Sequence, residues 1–366
     1  MLRPEPTHWQ DDDPGSGPPQ EPRTAASAAI PLDLRGLRSL HLDLLGRPPF
    51  RAEVEERRGS SLQEVATRIV GTLEFWRAWL DEQLFFFLLI DNFTPHSERI
   101  LEVPEALSER RLDVREAIHR ICLSPSFELR NPGADTFVTV VMEQLLGIEV
   151  QKSARELELG KGAYDGRSVR FLGKAASSQA DVVRIAMEDS GFAVHFLRRE
   201  YERLVHSTAD TKELARQARA FSQEPGIFPS LVRNWLESDA YRERLTKRFP
   251  QPNRMFVNAL FVDVLDRRPT ADETEALREA LDGLADAAPL RSVVARTLID
   301  GPLTELPAKQ EIAEPAAWIA SCFERLLGRL PEPSESTAFA EAWKSSDCRP
   351  QTVLYALASS HEYATY

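Results

Sequence analysis

The densest group of residues that could do chemistry lies between positions 188 and 201. Glu188, Asp189, His195, Glu200 and Tyr201 supply three carboxylates, an imidazole and a phenol. A metal site on a helix needs a histidine with a carboxylate or a second histidine three or four positions away, because only those spacings share one helix face. His195 has neither, so the pattern favours a solvated helix with ion pairs.

A second candidate is the glycine-rich segment Gly160–Gly166, which leads into the alternating residues Ser168–Leu172. Glycine punctuation before such an alternation predicts a loop or a short β-hairpin. A phosphate-binding loop would need a Gly-Lys-Ser/Thr ending and a preceding strand, and both are missing from the sequence. An enzyme or enzyme accessory with a site near residues 160–174 and His195 is therefore the alternative function.

The composition argues against several classes of function. A net charge of -12 over 366 residues argues against a nucleic-acid binder, which would carry a basic face, and suits a basic partner surface. Cys122, Cys322 and Cys348 lack the spacings of zinc or haem sites, and the first two lie in apolar helical patterns that favour burial. No ligand spacing calls for a cofactor, so we expect none, and whether a pigment is held stays open.

The elements that position these residues are helices, and a phrase that occurs four times marks their ends. Each copy closes an apolar stretch whose residues recur every three or four positions, as in a helix with one buried face. Glycine then allows a left-handed ending, arginine complements the helix dipole, and proline prevents continuation. Asp266 replaces the glycine in the third copy. The copies are Leu44–Pro49, Leu145–Gly147, Val264–Pro269 and Leu326–Pro331.

A second phrase recurs six times: an apolar helix runs into Ser, Thr or Asp, and a large apolar residue stands three positions later. The short polar residue can cap the next helix, and the apolar residue then anchors that helix in the core. Asp300 with Leu303 is the weakest match. Ser360 precedes His361, but Thr or Asp fills the same slot elsewhere, which argues against a nucleophile. The pairs are Thr72 with Phe75, Ser124 with Phe127, Asp189 with Phe192, Ser238 with Tyr241, Asp300 with Leu303 and Ser360 with Tyr363.

These patterns predict an all-α protein of tandem helical modules with at most one short β-hairpin. We expect modules at residues 31–112, 113–248 and 249–366, the last with two partial repeats. The proline-rich residues 1–30 predict an extended or disordered arm. No stretch reaches the roughly 20 apolar residues of a spanning helix. The arm also lacks the apolar core of a signal peptide, so we expect a cytoplasmic location, with peripheral association with a membrane complex left open.

The two phrases together resemble the phycobilisome linker domain and the bacterial repeats related to it. The closest passages are Asp135–Gly147 and Leu231–Arg242, within a best-matching span of residues 124–245. Shorter fragments are similar to partial copies at residues 34–80, 252–303 and 315–366. Linker proteins of this family are non-catalytic and hold the subunits of large pigment–protein assemblies in order. The resemblance therefore implies a scaffold or linker subunit of a larger assembly, such as a light-harvesting or photosynthetic complex, without catalytic residues.

The aromatic stretch from Phe75 to Phe93 is the candidate binding site for partner proteins. A helix that is apolar over most of its circumference is either deeply buried or docked on a partner, and both interpretations stay open at this point. We expect the partners to be protein subunits of a large complex, and we expect neither nucleic acid nor a transmembrane segment in the chain itself. The candidate residues are Phe75, Trp76, Trp79, Phe85, Phe86, Phe87 and Phe93.

Overall fold

The computed structural model describes residues 31–88 and 98–366. Helices dominate these residues, and their one sheet is an antiparallel hairpin of β1 (Val169–Phe171) and β2 (Lys174–Ala176). The prediction of a helical protein with at most one short hairpin is confirmed for this part of the chain. The predicted arm, residues 1–30, and the candidate residue Phe93 lie outside the described residues.

One arrangement of three helices recurs along the described chain. Helix A comes first, helices B and C follow, and helix C runs into a short polar residue with a large apolar residue three positions later. Each of the six polar residues named above closes one such repeat. We number these repeats 1 to 6 in chain order.

Repeats 1 to 3 occupy the first part of the chain. In repeat 1, helices A, B and C are α1 (Leu34–Leu45), α2 (Arg51–Arg57) and α3 (Leu62–Ile69). In repeat 2 they are α4 (Leu73–Leu88), the short pair α5 (Glu98–Leu101) and α6 (Val103–Ser108), and α7 (Val114–Cys122), followed by α8 (Pro125–Arg130). In repeat 3 they are α9 (Gly133–Val140) with a further π-helical turn (Val141–Leu145), α10 (Ala154–Tyr164) and, after the hairpin, α11 (Gln179–Glu188).

Repeats 4 to 6 follow without another sheet among the described residues. Repeat 4 contains α12 (Ser190–Val205), α13 (Thr211–Gln223) and α14 (Phe228–Leu236), followed by α15 (Asp239–Thr246). Repeat 5 contains α16 (Asn253–Leu265), α17 (Ala271–Asp282) and α18 (Ala288–Ile299). Repeat 6 contains α19 (Pro315–Leu327), α20 (Pro333–Trp343) and α21 (Pro350–Ala358). Short 3₁₀ turns lie at Val150–Lys152, Pro225–Ile227 and Lys309–Glu311.

Helix A ends in a left-handed residue in every repeat except repeat 2, where its end borders residues outside the described range. The φ angles are 64° at Gly46, 65° at Gly147, 52° at His206, 53° at Asp266 and 68° at Gly328. The three predicted glycine endings are confirmed, and Asp266 adopts the same conformation although it carries a Cβ atom. The ending at His206 was not predicted, because no Leu-Leu-Gly phrase precedes it.

The capping role of the second phrase is confirmed in repeats 1 to 4, whereas no helix directly follows Asp300 of repeat 5 or Ser360 of repeat 6 in this described part of the chain. The hydroxyl oxygen of Ser124 accepts the N–H of Phe127 at 3.2 Å, and Ser238 does the same for Tyr241 at 3.2 Å. The large apolar residues of five repeats are 2% exposed or less, whereas Leu303 of repeat 5 is 62% exposed. Tyr363 of repeat 6 also lies in a turn and is nevertheless buried, so it is the exposure of Leu303 that leaves repeat 5 without an anchor.

The C helices pair with one another, and this pairing organises the core. Helix α3 packs on α14, α7 on α11, and α18 on α21, so repeat 1 pairs with 4, 2 with 3, and 5 with 6. Buried side chains of repeats 1 to 4 form one hydrophobic cluster, and those of repeats 5 and 6 form a second, which also includes Leu42 of α1.

The predicted module boundaries at residues 112 and 248 stay predictions. No helix of the described residues is long and apolar enough to cross a membrane.

The glycine-rich segment differs from its predicted conformation. The hairpin is present, but Gly160 and Gly162 lie inside helix α10 rather than in a loop. A Cβ atom at Gly160 would lie 2.4 Å from Val138 and 3.1 Å from Phe171. These glycines therefore allow α10 to pack closely on α9 and on the hairpin, which a pattern of glycine punctuation alone does not reveal.

Candidate functional site

Most of the aromatic candidate residues belong to the core. Phe75, Trp76, Trp79 and Phe87 are only 2–3% exposed, and they pack against rings that include Phe228 and Phe127. Buried rings cannot touch a partner in this conformation, so for these four the core interpretation is the one that the structure supports.

Phe85 and Phe86 are the described aromatic candidates that reach the surface. Phe85 is 43% exposed and lines a cavity of about 370 Å³ between α4 and α16. Phe86 is half-buried beneath the guanidinium of Arg199, which lies 3.9 Å from its ring centre. Partner binding by the aromatic stretch stays a prediction, and Phe85 and Phe86 are the described candidates whose side chains a partner could touch.

His195 and the glycine-rich segment have packing roles. The imidazole of His195 covers the left-handed turn that ends helix A of repeat 3, where a Cβ atom at Gly147 would lie 2.5 Å from Nδ1. Burial, together with the charges of Arg199 and Arg198, lowers the pKa of His195. Gly160 faces Val138 and Phe171 instead. These contacts give His195 and Gly160 packing roles, and an enzymatic site near them stays an untested prediction.

Helix α12 is not the solvated helix that the sequence predicts. Glu200 is fully buried and accepts hydrogen bonds from Gln83 at 2.9 Å, Arg203 at 3.1 Å and Arg199 at 3.2 Å. Burial alone would raise the pKa of this carboxyl, but the neighbouring Arg203 and Arg199 charges outweigh it and lower the pKa. The partner Gln83 lies on α4, far away in sequence, so local spacing could not identify the cluster.

The arginines of the Leu-Leu-Gly phrase bind glutamates at the start of helix B. Arg267 binds both carboxylate oxygens of Glu273 at 2.8 Å, and that carboxylate also accepts the N–H of Thr270 at 2.7 Å. The same arrangement joins Arg47 to Glu53 and Arg329 to Glu335. We call these pairs the Arg–Glu clamps. They join helix A to helix B in repeats 1, 5 and 6, and the signal in the sequence is Arg-x-Pro-x-x-x-Glu.

Two buried aspartates occupy equivalent positions on helix A, three residues before its left-handed end. Asp43 accepts hydrogen bonds from the Tyr241 hydroxyl at 2.7 Å and from Arg244 at 2.8 Å. Burial raises the pKa of Asp43, although Arg244 and Tyr241 oppose this shift. Each aspartate bonds to the tyrosine of the paired repeat, so the buried polar groups of the fold join its own elements.

Asp263 makes the corresponding contacts in repeat 5. It accepts hydrogen bonds from the Tyr363 hydroxyl at 2.8 Å and from both terminal nitrogens of Arg38 at 2.9 and 2.7 Å. Arg38 lies on α1, so this carboxylate connects α16 with repeat 1. In return Asn258 of α16 donates to the carbonyl of Gly46 at 3.1 Å. The two contacts run in opposite directions along α1 and α16, which are therefore antiparallel.

Repeat 5 carries an open apolar groove between α17 and α18. Its volume is about 440 Å³, and Val293 and Leu303 beside it are 57% and 62% exposed. The exposed acidic residues Asp272 and Glu279 lie one turn either side of Ala276, which is part of the wall. The apolar lining includes Phe261, Ala276, Leu277, Val293, Leu298 and Leu303. Sequence analysis missed this groove, although the exposed Leu303 stands where other repeats have a buried aromatic residue.

The fold and these contacts define an all-α repeat protein whose buried charges mainly connect its own helices. In the described part of the chain, no group of three or more His, Cys, Asp or Glu side chains could hold a metal ion. Comparisons with protein-family models, curated proteins and solved structures find no match for the chain.

Proposed function

We propose that the protein is a non-catalytic scaffold or linker subunit that organises a larger protein assembly through the apolar groove of repeat 5. The observation that carries this proposal is the groove itself, because the other repeats bury the large apolar residue that repeat 5 exposes as Leu303. Exposed apolar surface with a groove shape is typical of a protein-binding site.

The occupant we propose is an amphipathic helix of a partner protein, with basic residues beside its apolar face. The apolar lining suits the anchors that a helix presents every three or four positions. Asp272 and Glu279, one turn either side of the wall residue Ala276, supply negative charge, as does the net charge of -12 of the whole chain. Complementary charge speeds encounter and selects among partners.

The resemblance to phycobilisome linker repeats supports the same function from an independent direction. It covers the span 124–245 best, and the groove lies outside that span. We therefore propose assembly with other protein subunits, of which those of a light-harvesting or photosynthetic complex are the ones that the resemblance suggests. A cytoplasmic location and the possibility of contact with a membrane complex belong to this proposal too.

A peptide experiment tests the groove directly. The probe is a synthetic helical peptide with leucines at every third and fourth position and lysines elsewhere, and its control carries glutamates in place of lysines. We expect the lysine peptide to slow hydrogen exchange of residues 271–303 in the full chain, and the glutamate peptide to have little effect. Equal protection by both peptides would contradict the proposed charge preference, and protection by neither would contradict the docking site.

A variant experiment tests the assembly. Val293→Asp combined with Leu303→Asp places two charges at the groove, whereas Leu129→Asp changes an 84% exposed leucine of α8 and serves as the matched control. In the native host we expect the wild-type chain and the control to co-purify with the same partners at fixed stoichiometry, and the double variant to lose them. Retention of the partners by the double variant would show that another surface makes the assembly.

A further inference from the structure

A second cavity lies where repeats 1, 5 and 6 meet. It has a volume of about 380 Å³ and is bounded by α1, α2, α16 and α19 and by residues 305–307. Trp318, Leu306 and Pro307 give it an apolar wall, while Arg51 and Arg325 bring guanidinium groups to it. The volume lies within the range of sites for small molecules, which is roughly 300 to 1,000 Å³.

Arg325 occupies the helix A position that holds Asp43 in repeat 1 and Asp263 in repeat 5. All three residues stand three positions before the left-handed end of helix A. Each of the two aspartates accepts a hydrogen bond from a tyrosine hydroxyl of the paired repeat, and this tyrosine belongs to the second phrase of that repeat. The paired repeat of Arg325 is repeat 5, where Leu303 replaces that tyrosine and no helix follows. Residues 305–307, which follow Leu303, line the cavity together with Arg325, and none of them carries a hydroxyl group.

The guanidinium of Arg325 has no ion-pair partner among the described residues. Its Nε and Nη2 atoms are enclosed and bond to no described group, and its side chain forms no ion pair there. Burial and the charge of Arg51 lower the pKa of Arg325, against the opposing effects of Asp263 and Asp266. Nη1 is not among these enclosed atoms, so a ligand in the cavity would reach the guanidinium at Nη1 and balance its charge there.

The charges around the cavity restrict what can bind. Asp263 is bound to Arg38, and Asp266 accepts the backbone N–H of Arg51 at 2.9 Å, so both carboxylates bond to groups other than the guanidinium of Arg325. Glu305 and Glu324 also line the cavity and repel multiply charged anions. A guanidinium nitrogen forms a charge-assisted hydrogen bond with a carboxylate, and the apolar wall suits a hydrocarbon or aromatic body.

We propose that this cavity is a binding site for a small monocarboxylate with an apolar body, whose carboxylate bonds to Arg325 and whose body packs on Trp318. Arg51 adds a second positive charge at the mouth. The inference does not depend on the proposed scaffold function, because the cavity and the groove of repeat 5 are lined by different residues.

The test uses the full chain with benzoate as probe, and with benzamide and inorganic phosphate as comparison ligands. Isothermal titration and thermal unfolding should both detect benzoate, whereas benzamide, which lacks the charge, and phosphate, which carries more charge, should bind much more weakly. Arg325→Met should weaken benzoate binding by roughly tenfold or more, the effect expected for a lost charge-assisted hydrogen bond. Trp318→Phe should weaken it less, because an aromatic wall remains.

The matched control is Arg58→Met, since Arg58 also lines the cavity but is paired with Glu55 at 3.5 Å and is 54% exposed. It should bind benzoate nearly as tightly as the wild-type chain. Arg325→Met should also unfold at an equal or higher temperature without ligand, because it removes an unpaired charge, and Arg325→Gln serves as the second variant if the methionine chain does not fold. Absence of benzoate binding, equal binding by Arg325→Met, or tighter binding of phosphate than of benzoate would each overturn the proposal.

Discussion

Two pairs of repeats, 1 with 4 and 5 with 6, bury the same carboxylate but obtain its arginine from different places. In the first pair Asp43 binds Tyr241 and Arg244, which both lie on α15. In the second pair Asp263 binds Tyr363 of repeat 6, but its arginine, Arg38, lies on α1. In the first pair all partners of the aspartate therefore come from the same two repeats. In the second pair one partner comes from the other hydrophobic core.

The difference follows from the residue three positions after the tyrosine. Arg244 occupies this position after Tyr241, whereas Tyr366 occupies it after Tyr363. The second pair thus offers Asp263 no arginine of its own at this position, and Arg38 supplies the charge from the first core. A change of one residue in a repeat converts a contact that holds a pair together into one that joins two pairs.

The largest effect is expected from Asp43→Asn. The side chain of Arg244 is 0% exposed, so the substitution leaves a buried guanidinium without its carboxylate. Breaking a buried ion pair from one side costs about 3 to 5 kcal/mol, and urea unfolding followed by circular dichroism should show a loss of that order. The control is Asp239→Asn, whose side chain is 98% exposed and should change the free energy of unfolding by less than about 0.5 kcal/mol.

Asp263→Asn separates the two roles of this carboxylate. We expect a somewhat smaller loss, of about 3 kcal/mol, because Arg38 also donates to the carbonyl of Arg325 at 3.2 Å. Since the contact joins the two cores, unfolding of this variant should become two-step, with residues 253–366 unfolding first. If Asp43→Asn gave the two-step curve and Asp263→Asn did not, the assignment of within-pair and between-pair contacts would be reversed.

The Arg–Glu clamps allow a second comparison, between a buried arginine and a partly exposed one. Arg47 is 2% exposed and binds both Glu53 and Glu74, whereas Arg267 is 38% exposed and binds Glu273. We expect Arg47→Met to destabilise the chain by about 2 kcal/mol, and Arg267→Met by less than about 1 kcal/mol because solvent screens the pair. Thermal and urea unfolding of both variants measures the two losses in the free energy of unfolding. Equal losses would show that burial does not set the strength of a clamp.

The sequence predicts the local parts of this fold well. Glycine endings such as Gly46 and caps such as Ser124 and Ser238 depend on residues within a few positions, so their signals are complete in the chain itself. Burial of Cys122 and Cys322 follows in the same way from helical periodicity and is confirmed. The clamps were also readable, because Arg267 and Glu273 lie only six positions apart.

The pairing of repeats was not readable from the sequence. Tyr241 and Asp43 are 198 positions apart, and each of the six repeats offers a similar apolar C helix, so no local pattern selects the partner. The groove was missed for a related reason, since the sequence pattern of Leu277 and Leu298 is that of ordinary core residues, although both line the groove. The sequence left the core and partner-binding interpretations of the aromatic stretch open, because Phe85 and Phe87 differ only in which side of α4 they occupy.

The smallest expected effect is the pH dependence of a single clamp. Hydrogen bonds from Arg267 lower the pKa of Glu273 to about 2. Because the folded pKa is below the unfolded value of about 4.3, the clamp stabilises the fold above that pH and loses its effect as the pH falls toward 2. The side chain of Glu273 is 31% exposed, so the contribution should stay below about 1 kcal/mol.

The measurement is a comparison of the wild-type chain with Glu273→Gln across this pH range. At neutral pH the wild-type chain should unfold at a slightly higher temperature, and the difference should shrink to nothing as Glu273 becomes protonated. The control is Glu275→Gln on the exposed face of α17, which removes a carboxylate of the same helix from outside the clamp. A difference that stayed constant with pH would mean that Glu273 acts through its packing and its bond to Thr270, and the clamps would then be capping contacts rather than ion pairs.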